Sequence, residues 1–202
     1  MANLKNIYLP ETMTMIGQDA FSNSTRLETV PLSDEITHIG YQAFYNFGSI
    51  ETGSLGILVE KLPAKLEFIG DRAFCNAGRR VSVKDLPATV KSIGTQAFMQ
   101  CSNVSISHFG GEGSALASIG YQAFRSANTI AADVTELVIN KGVILKLGNN
   151  DTAYNTFGMG YPNVTTLRIG DDCQTKYGND TSALVADLFE QTGRNITVSI
   201  MM

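Results

Sequence analysis

The hexapeptide Ile-Gly-Tyr-Gln-Ala-Phe occurs twice, at Ile39–Phe44 and Ile119–Phe124. Near-copies stand at Ile16–Phe21, Ile69–Phe74 and Ile93–Phe98. Their glycines, 17, 40, 70, 94 and 120, are spaced by 23, 30, 24 and 26 residues. A period of that size dictates a stacked array. One such unit cannot bury its own apolar side, and only apposition of successive units closes a core. Identical letters recur because identical environments recur. Within the unit, Gly suits a corner that needs a positive φ or a close approach of backbones. Ala lets neighbouring coils come together, and Phe fills the space between the arms.

Each Phe is followed by a short run in which apolar residues alternate: Leu27–Leu32, Ile57–Pro63, Val81–Pro87, Val104–Phe109, Glu136–Asn140, Thr165–Gly170 and Ile196–Ile200. One more, Leu4–Pro10, precedes the first hexapeptide. Period-two alternation rich in Val and Ile reads as half-buried strand. A weaker apolar pair precedes each Gly, as in ITHIG, LEFIG, VKSIG and LASIG. Two lengthened copies, Leu147–Phe157 and Tyr177–Phe189, keep the Gly and the final Phe. They replace the Ala with Thr156 and Leu188, so the repeat decays toward the C-terminus. The order of elements predicts one solenoid domain over residues 1–202, regular over 4–130 and degenerate over 131–202. It is an α/β repeat solenoid dominated by β structure, with one parallel sheet of about eight short strands, about 34 Å long at ~4.8 Å per strand. Phe44, Phe74, Phe98 and Phe124 are expected to form a buried ladder along the stack.

The pattern L-x-x-I-G-x-x-A-F followed by L-x-x-V-x-L-P resembles the BspA-like leucine-rich repeat family. It is close at Ile39–Phe44, Ile93–Phe98 and Ile119–Phe124. Cys101, three residues after Phe98, matches a cysteine of that family, and Leu-Pro follows the strand at 9–10, 62–63 and 86–87. Good matches run from Leu4 to Phe124. The resemblance implies a curved, right-handed leucine-rich-repeat coil with its parallel sheet on one face, a binding or adhesion role, and no catalysis. It also implies a cell-surface or secreted location. The opening residues 1–17 lack the basic-then-apolar layout of a secretory signal. Two expectations stay open: action where the chain is made, or prior removal of a signal or of a larger parent chain.

Composition removes other classes. Hydrophobic residues are 44% and charged residues 17%, which argues against disorder. The net charge is −4 and no Lys/Arg run occurs, so there is no footprint for nucleic acid or for an anionic membrane. No apolar stretch has the length of a membrane span. Cys75, Cys101 and Cys173 have no metal-like spacing and read as reduced, partly buried thiols. His38 and His108 fall in different parts of different repeats. Cys101 and His108 lack the orienting third group that a nucleophile pair needs. No catalytic residue, cofactor or metal is therefore assigned, and the chain does not read as an enzyme. The turns Gly148–Asp151 and Gly178–Asp180 occupy one repeat position, where Asp151 and Asp180 could stack as calcium ligands. Gly, Asn and Asp are equally the ordinary residues of tight turns.

Alternation along the strands sets the candidate binding face. Leu4, Ile7, Leu9, Val104, Ile106, Leu137, Ile139, Leu167, Ile169, Val198 and Ile200 are expected inside. Tyr8, Pro31, Ser105, Ser107, Val138, Arg168, Thr197 and Ser199 are expected outside, on the concave sheet. That face is small, neutral and hydroxyl-rich. It suits a protein or glycan partner, or is simply a solvated sheet face. Tyr41 and Tyr121, each after its Gly, are either a second exposed feature or shields of the turn. Two functions remain: a non-catalytic protein-recognition or adhesion module, and a structural component of a virion or other large complex. The ends carry no obvious cap. Self-association or a covering chain, with Tyr177–Phe189 as a helical adaptation near the interface, is one expectation, and this last irregular repeat folding over its own end as a cap is the other.

Overall fold

The structure, a computed structural model, describes residues 5–28, 30–47, 58–126, 131–148, 154–174, 177, 180–190 and 193–202. In chain order the strands are β1 Met15–Ile16, β2 His38–Ile39, β3 Phe68–Ile69, β4 Gly78–Val83, β5 Ser92–Ile93, β6 Cys101–Val104, β7 His108–Phe109, β8 Ser118–Ile119, β9 Glu136–Ile139, β10 Ile144–Leu145, β11 Thr166–Gly170 and β12 Thr197–Met201. A single α-helix, α1, spans Thr181–Phe189, and a 3-10 turn spans Asp171–Gln174. Every strand pairing among the described residues is parallel. The structure is thus a β-solenoid with little helix.

The expected single sheet is divided into three. The longest is built from the short apolar pairs before each Gly, in the order β1-β2-β3-β5-β8-β10. The others are β12-β11-β9-β7 and β4-β6. One reason lies in the prolines of the early runs. Pro31, Pro63 and Pro87 have no N–H and cannot donate to a ladder. Further, the buried Arg80 side chain donates to the carbonyls of Thr25 and Leu27, taking up acceptors at the start of the Leu27–Leu32 run. The later runs carry no Pro, and β9, β11 and β12 extend to four, five and five residues. Val104, Ile106, Leu137, Ile139, Leu167 and Ile169 face the core as expected. Ile7, Leu9 and Val198 are half-buried, Ile200 is 39% exposed, and Leu4 lies outside the described residues.

The corner between arm and Phe is a turn whose backbone alternates in hand. The second residue before each Phe has a left-handed φ: Asp19, Gln42, Arg72, Gln96, Gln122 and Asn155. So does the second residue after it, at Asn23, Asn46, Asn76 and Gln100. Such a corner does not continue as a helix: alternate N–H groups bond within it, as Ala43 to Gly40 and Tyr45 to Gln42, and the others reach the next coil. The amides of Gln42, Phe44 and Asn46 donate to the carbonyls of Asp71, Ala73 and Cys75. Those of Arg72, Phe74 and Asn76 donate to Thr95, Ala97 and Met99. Side chains reinforce the stack, with Arg72 Nε donating to Gln96 Oε1 and Gln96 Nε2 to Gln122 Oε1, both at 2.8 Å.

Inside this frame the rings of Phe44, Phe74, Phe98 and Phe124 stack with centroids 5.2, 5.2 and 5.4 Å apart and planes within 10° of parallel. Phe21 extends the ladder at one end, and Phe157 and Phe189 at the other. One contiguous set of buried residues runs from Ile16 to Phe189. In the last coil α1 replaces the corner, as expected for Tyr177–Phe189. Asp180 caps it by accepting from the Ala183 amide at 2.9 Å. Leu184, Val185, Leu188 and Phe189 are its buried residues. The Leu188 carbonyl accepts from Phe157 N–H, as the Thr156 carbonyl accepts from Phe124 N–H one coil earlier.

Candidate binding groove

The repeated Gly is explained by crowding. A Cβ at Gly40 would lie 2.8 Å from the Gln18 amide nitrogen. At Gly70, Gly94 and Gly120 it would lie 2.7, 2.5 and 2.4 Å from backbone of the preceding coil. Of the two roles the sequence left open, close approach is the operative one, and the left-handed positions belong to non-glycine residues further along the corner. A furrow lined by Gly17, Gly40, Gly70 and Gly94 runs along the glycine column. Its volume is about 370 Å³. One bank is the outward row of the six-stranded sheet, Met15, His38, Phe68 and Ser92. Gln18 and Asp71 stand on the other.

His38 and Phe68 form a stacked pair with centroids 4.7 Å apart, and Lys91 Nζ sits 5.5 Å over the Phe68 ring. His38 Nδ1 is held by Thr37 Oγ1 at 2.8 Å. Asp71 uses Oδ1 to accept from the Thr95 amide at 2.7 Å. At the sixth rung the Gly expected at 148 is out of register with the glycine column. Lys146 N–H donates to the Ile119 carbonyl, just as Gly120 N–H donates to Ile93, so Lys146 takes the place of the glycine. Its side chain lines the same groove beside Ser92–Gly94. Lys146 has no carboxylate at ion-pair distance among the described residues, unlike Lys5, Lys61, Lys65, Lys91 and Lys141.

The residues singled out by strand alternation lie elsewhere. Val138, Arg168 and Ser199 share one rung of the β7–β12 sheet with His108, and Thr197 pairs with Thr166. Val138 is only 5% exposed and offers little surface. Arg168 is 3.9 Å from Glu136. Ser105 and Ser107 are half-buried between β6 and β7, with Ser107 Oγ 2.9 Å from His108 Nδ1. Tyr8, 96% exposed, belongs to none of the three sheets. Tyr41 is exposed, whereas the Tyr121 ring lies against Gly148. The groove residues Met15, Phe68, Gln18, Asp71 and Lys146 were not anticipated. The available signal was positional: the residue just before Ile-Gly is the outward member of a two-residue strand in every copy.

Nucleophile chemistry is disfavoured at the cysteines. All three are buried and free. Burial pushes the Cys75 thiol up to about 11 and Cys173 to about 12, and Cys101 is raised by complete burial. Cys101 Sγ donates to the Phe74 carbonyl at 3.1 Å, a packing role. Among the described residues neither histidine bonds a carboxylate, and no group of three His, Cys, Asp or Glu is placed to hold a metal. Asp151 lies outside the described residues, and Asp180 serves as the α1 cap. No helix is long and apolar enough to cross a membrane among those residues.

Parallel ladders, an inter-coil corner and a continuous Phe stack define a repeat-built β-solenoid module. The chain belongs to the BspA type leucine rich repeat family, whose repeat region matches in six copies over residues 1–57 and 54–142. No curated protein and no solved structure matches it. Beyond residue 142 the coil continues through β11 and β12, which extend the sheet begun by β7 and β9.

Proposed function

We propose that the chain is a non-catalytic recognition module of the protein-binding or adhesion type, working as one solenoid across residues 1–202, with the glycine-floored groove as its main contact surface. The observation that carries this reading is the groove itself. It is a concave, largely apolar strip with an aromatic pair and a few polar groups, held on a backbone fixed by ladder bonds. Leucine-rich repeats generally mediate protein interactions, which supports it. The outward face carrying Ser105, Ser107, Val138, Arg168, Thr197 and Ser199, together with Tyr8, is a secondary contact. A panel of immobilised proteins, peptides and glycans tests the reading. Ser92→Trp, which puts a large side chain over the groove, is expected to lower binding about tenfold or more. Arg168→Glu is expected to have a smaller effect. Binding that survives Ser92→Trp unchanged would remove the groove from the function.

An assembly role has one observation in its favour. Among the described residues β12 pairs on one side only, and it contains neither charge nor Pro to blunt its open edge. Light scattering over a concentration series tests this. A mass that rises with concentration and is abolished by Val198→Pro supports assembly through β12, and a constant monomer mass refutes it.

A further inference from the structure

We infer that the groove binds an extended, otherwise neutral glycan chain that ends in an acidic sugar, with the sugar carboxylate on Lys146. The inference rests on the recognition reading and specifies its ligand.

The floor decides against a peptide. An extended peptide gains affinity from main-chain partners. Here the N–H groups of Gly40, Gly70, Gly94 and Gly120 already donate to Ile16, Ile39, Ile69 and Ile93. Their carbonyls already accept from Ala43, Ala73, Ala97 and Ala123. A peptide laid on this floor would lose water from its amides and find no free main-chain partner there, only the few polar side chains of the banks. A ligand with an apolar face toward the floor and polar groups toward the banks avoids that cost. A pyranose chain has this form, with ring C–H bonds on its faces and hydroxyls at its edges. On one bank Phe68 lies between His38 and the Lys91 ammonium, so the pair offers C–H contact through the outer face of His38 and the ring edges. Gln18, Asp71 and Ser92 offer hydroxyl partners. Asp71 keeps Oδ2 available, since Oδ1 is taken by the Thr95 amide.

The length also fits an oligosaccharide. Gly17 to Gly94 covers three strand spacings, about 14 Å at ~4.8 Å each.

Charge fixes the ligand's direction and composition. Lys146 is the groove ammonium with no ion-pair partner among the described residues, and it follows the sixth strand, two strands beyond Ser92–Ile93. Asp71 places negative charge on the bank. A chain charged at every unit, such as a nucleic acid or a polyuronate, would set an anion against this carboxylate. One terminal carboxylate on Lys146 with neutral sugars over the glycines satisfies both ends.

The test is a titration of the intact chain with neutral oligosaccharides and with the same oligosaccharides capped by a terminal uronic or sialic acid. A preference of about tenfold or more for the capped series is expected, the size of one charge-assisted hydrogen bond. Lys146→Gln is expected to abolish the preference and leave neutral binding in place. His38→Ser and Phe68→Ser are expected to weaken both series, with unfolding midpoints checked in parallel. Equal binding of the two series, a preference that survives Lys146→Gln, or binding of peptides and not of glycans each overturns the inference. In the last case, loss of peptide binding in Ser92→Trp would leave the recognition reading standing.

Discussion

Between residues 15 and 126 the coil turns on corners that alternate in backbone hand, and Pro interrupts several of the runs that follow them. Between 131 and 201 the runs carry no Pro, β9, β11 and β12 lie side by side in one sheet, and the last coil turns on a helix. The two stretches share the column of Phe rings, which passes from Phe124 to Phe157 to Phe189 without a gap. The difference separates what the coil requires from what it only permits. The rings and the buried Ile column are required, because they are the shared core. The Ala-Phe corner is one way of presenting the ring, and α1 is another. Departure from the corner has a visible cost: Thr156, where the regular repeats have Ala, buries a hydroxyl with no partner.

Three measurements, made as urea midpoints with the slope held in view, would break or sharpen that comparison. The largest effect is expected at the shared element. Phe98→Ala should cost about 3–5 kcal/mol, as for a fully buried aromatic. Phe21→Ala, at the half-buried end of the ladder, should cost only about 1–2 kcal/mol. Equal losses would mean that the ladder is not graded by burial. Next comes the glycine column. Gly94→Ala forces a methyl to within 2.5 Å of backbone and should cost about 1–3 kcal/mol. At Gly17 the same methyl meets nothing within 4 Å, so Gly17→Ala should be neutral or stabilising by about 0.5 kcal/mol. A costly Gly17→Ala would show that conformation, not crowding, selects the glycine. The smallest effect belongs to the degenerate stretch, where Asp180→Ala removes the α1 cap and should cost about 1 kcal/mol. A markedly larger loss would make α1 part of the cooperative core and not an alternative corner.

Much of the coil was legible before the structure. Five copies of a hexapeptide announce stacking, and a ring that recurs at one repeat position must meet its neighbours. The division into three sheets was hidden by a local effect: Pro31, Pro63 and Pro87 sit in runs whose alternation looks like strand. Two-residue arms such as Phe68–Ile69 are too short to show a periodicity at all, so the outward row escaped notice. Arg168, Thr197 and Ser199 are exposed on β11 and β12, strands long enough to carry an alternation. The groove was harder still to read. It is lined by two-residue arms and glycines, and its lysine belongs to a copy that no longer looks like the repeat.

The corner hydrogen bonds have a direction. In each regular coil the donors lie in the earlier repeat and the acceptors in the later one, from Phe21 to Ala43, Phe44 to Ala73, Phe74 to Ala97 and Phe98 to Ala123. Synthesis runs the same way, so a ribosome delivers every corner before the carbonyls that complete it. A nascent chain of this design always carries one unfinished coil at its growing end, and the helix α1 supplies the last acceptor that the series needs.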